Sequence, residues 1–149
     1  SNRITVHRLA AWLPDNTPQN ILDIGSGTGS FALRLARLRP DRSVTGIESA
    51  PAPFALSRWL GRRTPNLQLL RADFWGCSLS SYDVVYAFLS PAPMPALWAK
   101  ALREMRPGSL LISNSFAIEN ARTAEVLRID DRRATHLFVY RVPESRKVK

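Results

Sequence analysis

Ten residues constrain this chain more than any others: Asn20-Ile-Leu-Asp-Ile-Gly-Ser-Gly-Thr-Gly29. The apolar run Asn20–Ile24 predicts a short buried strand. The alternating glycines after it predict a tight turn into a helix over 31–38, which Pro40 stops. Glycine suits a backbone that must turn sharply and lie flat against a ligand, because no Cβ intervenes. In an open α/β sheet, such a turn at the carboxyl end of a strand is where ligands bind. The spacing here is G-x-G-x-G, and the dinucleotide pattern G-x-G-x-x-G would need glycine where Ser30 stands. An acid, Asp23, precedes the turn by two residues, and the nearest base is Arg34. That arrangement argues against a phosphate cradle and for a ligand carrying a cationic group.

The alternation continues along the chain. Val6, Leu9, Ala10 and Leu13 have helical spacing ahead of the turn unit, ended by Pro14. Strands are predicted at 43–47, 67–70, 83–88 and 110–112. Ala55, Leu56, Trp59 and Leu60 form one apolar face of a helix ending near Gly61. Met94, Leu97, Trp98, Ala101, Leu102 and Met105 mark another helix, broken by Pro107-Gly108. Ala124–Ile129 and Thr135–Tyr140 flank Asp130-Asp-Arg-Arg133 as an antiparallel hairpin. The expected fold is α/β: a Rossmann-like, seven-stranded, mostly parallel sheet with a C-terminal antiparallel hairpin and helices on both faces.

Composition narrows the class. At 149 residues the chain is expected to be one domain spanning 1–149, and 45% hydrophobic residues exclude a disordered segment. A single cysteine, Cys77, excludes a disulfide framework. With only His7 and His136 beside it, no metal is expected. Apolar runs are far short of the ~18–20 residues a bilayer span needs, so the expected location is cytoplasmic. Ser1-Asn2, without an initiating methionine, reads as the remnant of a removed tag, so native residues are expected upstream. The 21 Lys and Arg against 12 Asp and Glu leave a formal charge of +9, which makes nucleic acid a candidate partner, though not the favoured one.

The glycine turn Asp23-Ile-Gly-Ser-Gly-Thr-Gly29 resembles the first motif of the class I S-adenosylmethionine-dependent methyltransferases. Gly46-Ile-Glu48, Arg71-Ala-Asp73-Phe74, Tyr82–Phe88 and Arg106–Ile112 follow in the order of that family's later motifs. The resemblance implies S-adenosyl-L-methionine as cofactor. It places Asp23, Gly25, Ser26, Gly27 and Gly29 at its amino-acid part, and Glu48, with Ser49 beside it, at its ribose. Asp73 and Phe74 would frame the adenine, and Phe88 would face the reacting methyl. The chemistry agrees: a carboxylate can pair with the cofactor's ammonium, and the two oxygens of Glu48 suit two adjacent hydroxyls.

The methyl acceptor is less constrained. Leu89-Ser-Pro-Ala92 stands where base-amine methyltransferases carry Asn-Pro-Pro-Tyr, and Cys77 lies off every motif position of a cysteine nucleophile. Asp73-Phe-Trp75, Phe88-Leu-Ser-Pro91 and Ser113-Asn-Ser-Phe116 are similar to the small lysine methyltransferases of the ATP-synthase c subunit and adenine-nucleotide translocase. That resemblance implies a lysine ε-amine on a protein partner, membrane-associated in those relatives, which often carry a membrane segment upstream. Phe88, Ser90 and Pro91 would then position the substrate, and Trp75 would line a slot for the lysine stem. A structured RNA or a small molecule is the alternative acceptor.

Overall fold

The computed structural model describes residues 2–15 and 19–144. Ser1, read as half of a tag remnant, lies outside the described residues. In chain order the elements are α1 (Asn2–Trp12), β1 (Asn20–Ile24), α2 (Ser30–Leu38), β2 (Ser43–Glu48), α3 (Pro51–Gly61) and β3 (Leu67–Arg71). A 3-10 turn at Phe74–Gly76 leads to β4 (Val84–Ala87), α4 (Met94–Glu104), β5 (Leu110–Asn114), β6 (Glu125–Arg128) and β7 (His136–Arg141). One seven-stranded sheet runs β3-β2-β1-β4-β5-β7-β6. Strands β1 to β5 pair in parallel, and β7 is antiparallel to both β5 and β6. The fold expected from the sequence is the fold observed.

Strand alternation builds two cores. Ile21, Val44, Val84 and Ile112 face α1 and α2, whereas Leu22, Ile47, Val85 and Leu111 face α4. From β1 the chain steps outward to β2 and β3, then returns to place β4 on the other side of β1. The carboxyl ends of β1 and β4 therefore flank the point where strand order reverses, which is where such sheets hold their ligands.

Two packing details fix how the helices lie on this sheet. Arg39, buried at the end of α2, donates to the carbonyls of Ala10, Leu13 and Pro14 at 2.8–2.9 Å and pairs with Asp41. It thereby satisfies carbonyls left over at the end of α1 and pins that helix beside β1. The Asp41 carboxylate, held by Arg39, is pulled down to about 2.

The second detail concerns α3, the helix read from Ala55, Leu56, Trp59 and Leu60, which ends at Gly61 as expected. The apolar face of α3 points to solvent: Leu56, Trp59 and Leu60 are exposed, and Ala55 with them. Ser57 and Gly61 pack inward instead. A Cβ on Gly61 would come within 2.7 Å of Leu67, and one on Gly29 would meet the Ser57 Cβ at 2.9 Å. The helix lies too close to β3 and the glycine turn for large side chains to fit beneath it.

Candidate functional site

Gly25, Gly27 and Gly29 all have positive φ, at 66°, 58° and 79°. This is the left-handed region that only glycine enters without strain. The turn is tied down by Ser26 N donating to Ile47 O (2.9 Å) and Gly29 N donating to Ser26 O (2.8 Å). It rests on Gly46 of β2, where a Cβ would press on Ser26 at 3.1 Å. A Cβ on Gly27 would meet nothing within 4 Å, so the turn leaves a cradle there.

Asp23 lies under the turn, level with Gly46 and Tyr86 on the neighbouring strands. It is 4% exposed, and its Oδ2 has no hydrogen-bond partner among the described residues. Burial, with the nearby Glu48 carboxylate, pushes its pKa up to about 8. An unpaired buried carboxylate costs folding free energy unless a cation or donor reaches it. The Ser26 hydroxyl is likewise buried without a partner among the described residues.

Glu48, at the end of β2, accepts from Gly27 N (2.7 Å) and Ala50 N (2.9 Å), one backbone donor per oxygen. It holds the turn as well as facing the cradle, a role its position in the sequence did not reveal. A carboxylate has about four acceptor positions, so two remain for a vicinal diol. Asp73 caps the 3-10 turn by accepting from Trp75 N (3.2 Å). Phe74 beside it is half-buried, its ring 4.4 Å from that of Trp75. Ser49, Ser90 and Pro91 are exposed on the loops after β2 and β4.

A cavity of about 1050 Å³ opens beside Asp23 at the carboxyl ends of β1, β4 and β5. Asp23, Gly25, Ser26 and Phe88 line it, together with Tyr86, Asn114, the hairpin turn 131–136 and Ile4 of α1. Glu48, Asp73, Trp75, Ser90 and Pro91 are not in its wall. Trp75 follows β3, three strand positions away from β4. The slot expected between Trp75 and Phe88 is therefore not one cavity. Phe116 stands outside the wall as well.

Tyr86 and Asn114 are wall residues that the sequence reading missed. The Tyr86 ring stacks on Phe31 at 4.2 Å, and its hydroxyl accepts from Asn114 Nδ2 at 2.7 Å. Burial raises the phenol pKa further above its ordinary value, so it stays protonated and its own hydrogen remains available to donate. The available signal was a phenol in a strand otherwise made of Val and Ala.

The ANTKMT methyltransferase domain matches residues 23–125, from the acid under the turn to the start of β6. The chain belongs to that family. The family lies within the class I S-adenosylmethionine-dependent methyltransferases, and this is a methyltransferase domain with S-adenosyl-L-methionine as cofactor. Among curated relatives, the trans-aconitate 2-methyltransferase of Deinococcus radiodurans is 32% identical over 106 residues, covering 69% of this chain and 40% of that protein. The release factor glutamine methyltransferase of Escherichia coli is 31% identical over 88 residues, 58% of this chain and 31% of that one. The chain thus spans well under half the length of either relative. An RNA methyltransferase from Salinibacter ruber, solved with S-adenosyl-L-homocysteine, superposes with a TM-score of 0.77 at 20% identity. It covers 88% of this chain and 85% of its own. At that identity the likeness speaks to the fold.

The residues of the methyltransferase domain fit the cofactor on their own chemistry. Asp23 Oδ2, buried without a partner among the described residues, would suit the ammonium of the amino-acid part, the open cradle at Gly27 would hold the body of the molecule, and Glu48 has acceptors left for the ribose. Among the described residues no cluster of three His, Cys, Asp or Glu could hold a metal ion, and no helix is long and apolar enough to cross a membrane.

Proposed function

We propose that this domain methylates a lysine ε-amine of a protein, acting in the cytoplasm. The match to the ANTKMT family carries the reading, because the motifs after β3, β4 and β5 resemble the lysine methyltransferases of that lineage. The cavity supports it. Phe88 at the end of β4 is 56% exposed and Ile4 of α1 is 43% exposed, so the mouth has apolar surface for a four-carbon stem.

S-adenosyl-L-methionine, when bound, supplies an electrophilic methyl group on a sulfonium. The chain's own task is to present a neutral amine in line with it. Deprotonating a lysine at neutral pH costs roughly 4–5 kcal/mol from its ordinary pKa. Apolar surface at Phe88 and the stacked Phe31–Tyr86 pair lowers that cost by disfavouring the ammonium. The Tyr86 hydroxyl and Asn114, joined by their hydrogen bond, give the wall a fixed polar edge against which the acceptor can be oriented.

A structured RNA is the second reading, favoured by Arg132 and Arg133 on the hairpin turn of the same cavity and by the charge of +9. The experiment is methyl transfer from tritiated S-adenosylmethionine into lysate, with separate protease and RNase digestion. Acid hydrolysis of the labelled protein should then yield methyl-lysine. Label lost to RNase would move the assignment to RNA, and label in small carboxylates would move it to a metabolite.

A further inference from the structure

The outward face of α3 does not line the cavity, and among the described residues nothing covers it. Leu56, Trp59 and Leu60 are 48%, 60% and 38% exposed. They recur at i, i+3 and i+4, a single stripe along the helix, and Arg63 follows in the turn just past its end. The residues of α3 buried below are the small ones, Ser57 and Gly61. A helix that keeps its bulk outside is inverted relative to an ordinary surface helix. An apolar patch with a cationic border marks an interaction surface.

Its charge says what kind. Between Glu48 and Asp73 the chain has no acidic residue, and it carries Arg58, Arg62, Arg63 and Arg71. The Arg62 guanidinium lies 4.2 Å over the Trp59 ring, at the edge of the apolar stripe. Arg63 shares a shallow depression with Arg37 of α2, which extends the positive border toward that helix.

We propose that this face of α3 docks the domain on an anionic lipid bilayer, lying flat with Leu56, Trp59 and Leu60 in the headgroup boundary. An exposed helix face, rather than a groove shaped for one partner, suits a deformable surface. Leucine and tryptophan enter the interfacial layer, and the arginines reach the lipid phosphates around them. A second copy of the chain fits poorly, because a two-fold contact centred on Trp59 would set Arg58, Arg62 and Arg63 against their own copies with no local acid to offset them. A nucleic acid would use the arginines and leave both leucines idle. The inference does not depend on which acceptor is methylated.

The test is cosedimentation of the full chain with vesicles of phosphatidylcholine alone and with vesicles of two parts phosphatidylcholine to one part phosphatidylglycerol. Partition should favour the anionic vesicles by about tenfold or more, since each arginine near such a surface adds to binding. The double variant Leu56→Ser with Trp59→Ser should lose about tenfold. Arg58→Gln with Arg62→Gln and Arg63→Gln should fall to the level of neutral vesicles. Both variants should keep their melting curves and S-adenosylhomocysteine affinity, because these side chains are exposed and outside the cofactor site. Three results would overturn the proposal: no preference for anionic vesicles, equal binding by the Leu56 and Trp59 variant, or a parent dimer in sedimentation equilibrium that this variant dissolves.

Discussion

The two sides of the strand-order reversal are built by different means. On the cofactor side, β1, the glycine turn, β2 and β3 follow one another within residues 20–73, and Asp23, Glu48 and Asp73 each come at or just after the end of a strand. On the acceptor side, the wall draws on α1, β4, β5 and the turn of a hairpin more than a hundred residues from α1. The first side is built mainly of backbone geometry and carboxylates. The second presents side chains from elements that must first be packed together. A ligand site made of local turns can be read from a linear motif, whereas an assembled wall cannot.

Substitutions that break the first side alone should have the largest effects. Gly27→Val forces a β-branched residue to φ 58° and fills the cradle. It should cut S-adenosylhomocysteine affinity by at least about 100-fold in calorimetric titration. Asp23→Asn removes the charge for the cofactor's ammonium and should cost about 2–3 kcal/mol of binding.

The same Asp23 variant should separate binding from stability. The folded-state pKa of about 8 lies above the ordinary 3.8, so the folded protein holds a proton that the unfolded chain has released. Parent stability should therefore fall as pH rises from about 4 to about 8 and level off above, whereas Asp23→Asn removes that fall. Urea unfolding at several pH values checks this. Pairing with the cofactor needs the ionised form, so below about pH 8 affinity should rise by up to about tenfold per pH unit, with proton release in calorimetry run in different buffers.

Smaller effects sharpen the comparison from the acceptor side. Phe88→Ala should raise the acceptor KM by about tenfold and leave cofactor affinity within about threefold, since half the ring's area is already in water. Trp75→Ala should change turnover least, within about threefold, because the indole lies outside the cavity and packs on Phe74. A large loss of turnover with unchanged cofactor binding would show that the acceptor's path extends across β3, and the two sides would then be one.

How legible each feature was follows the range of the interactions behind it. The helix over 94–104 was plain because its core stripe obeys a 3.6-residue period against a single partner face. The α3 helix has an equally clear stripe, and the stripe faces the wrong way. Periodicity identifies an apolar side without saying what covers it, and here the close approach of Gly29 to Ser57 and Gly61 to Leu67 decided the orientation. Trp75 and Phe88 were grouped because both follow strands. The strand order separates them by β2 and β1, a fact carried by pairing across the sheet.

By itself the sequence determined the sheet's element order, the glycine turn and the acids at its rim. These depend on backbone dihedrals and on contacts between near neighbours in the chain. Only the tertiary structure decided that Asp23 is buried and unpaired, that Glu48 clamps Gly27 and Ala50, and that Tyr86 and Asn114 share a wall with the hairpin turn. Burial and pairing are properties of what surrounds a residue, and those surroundings come from strands distant in sequence, brought together by the packing of the two cores.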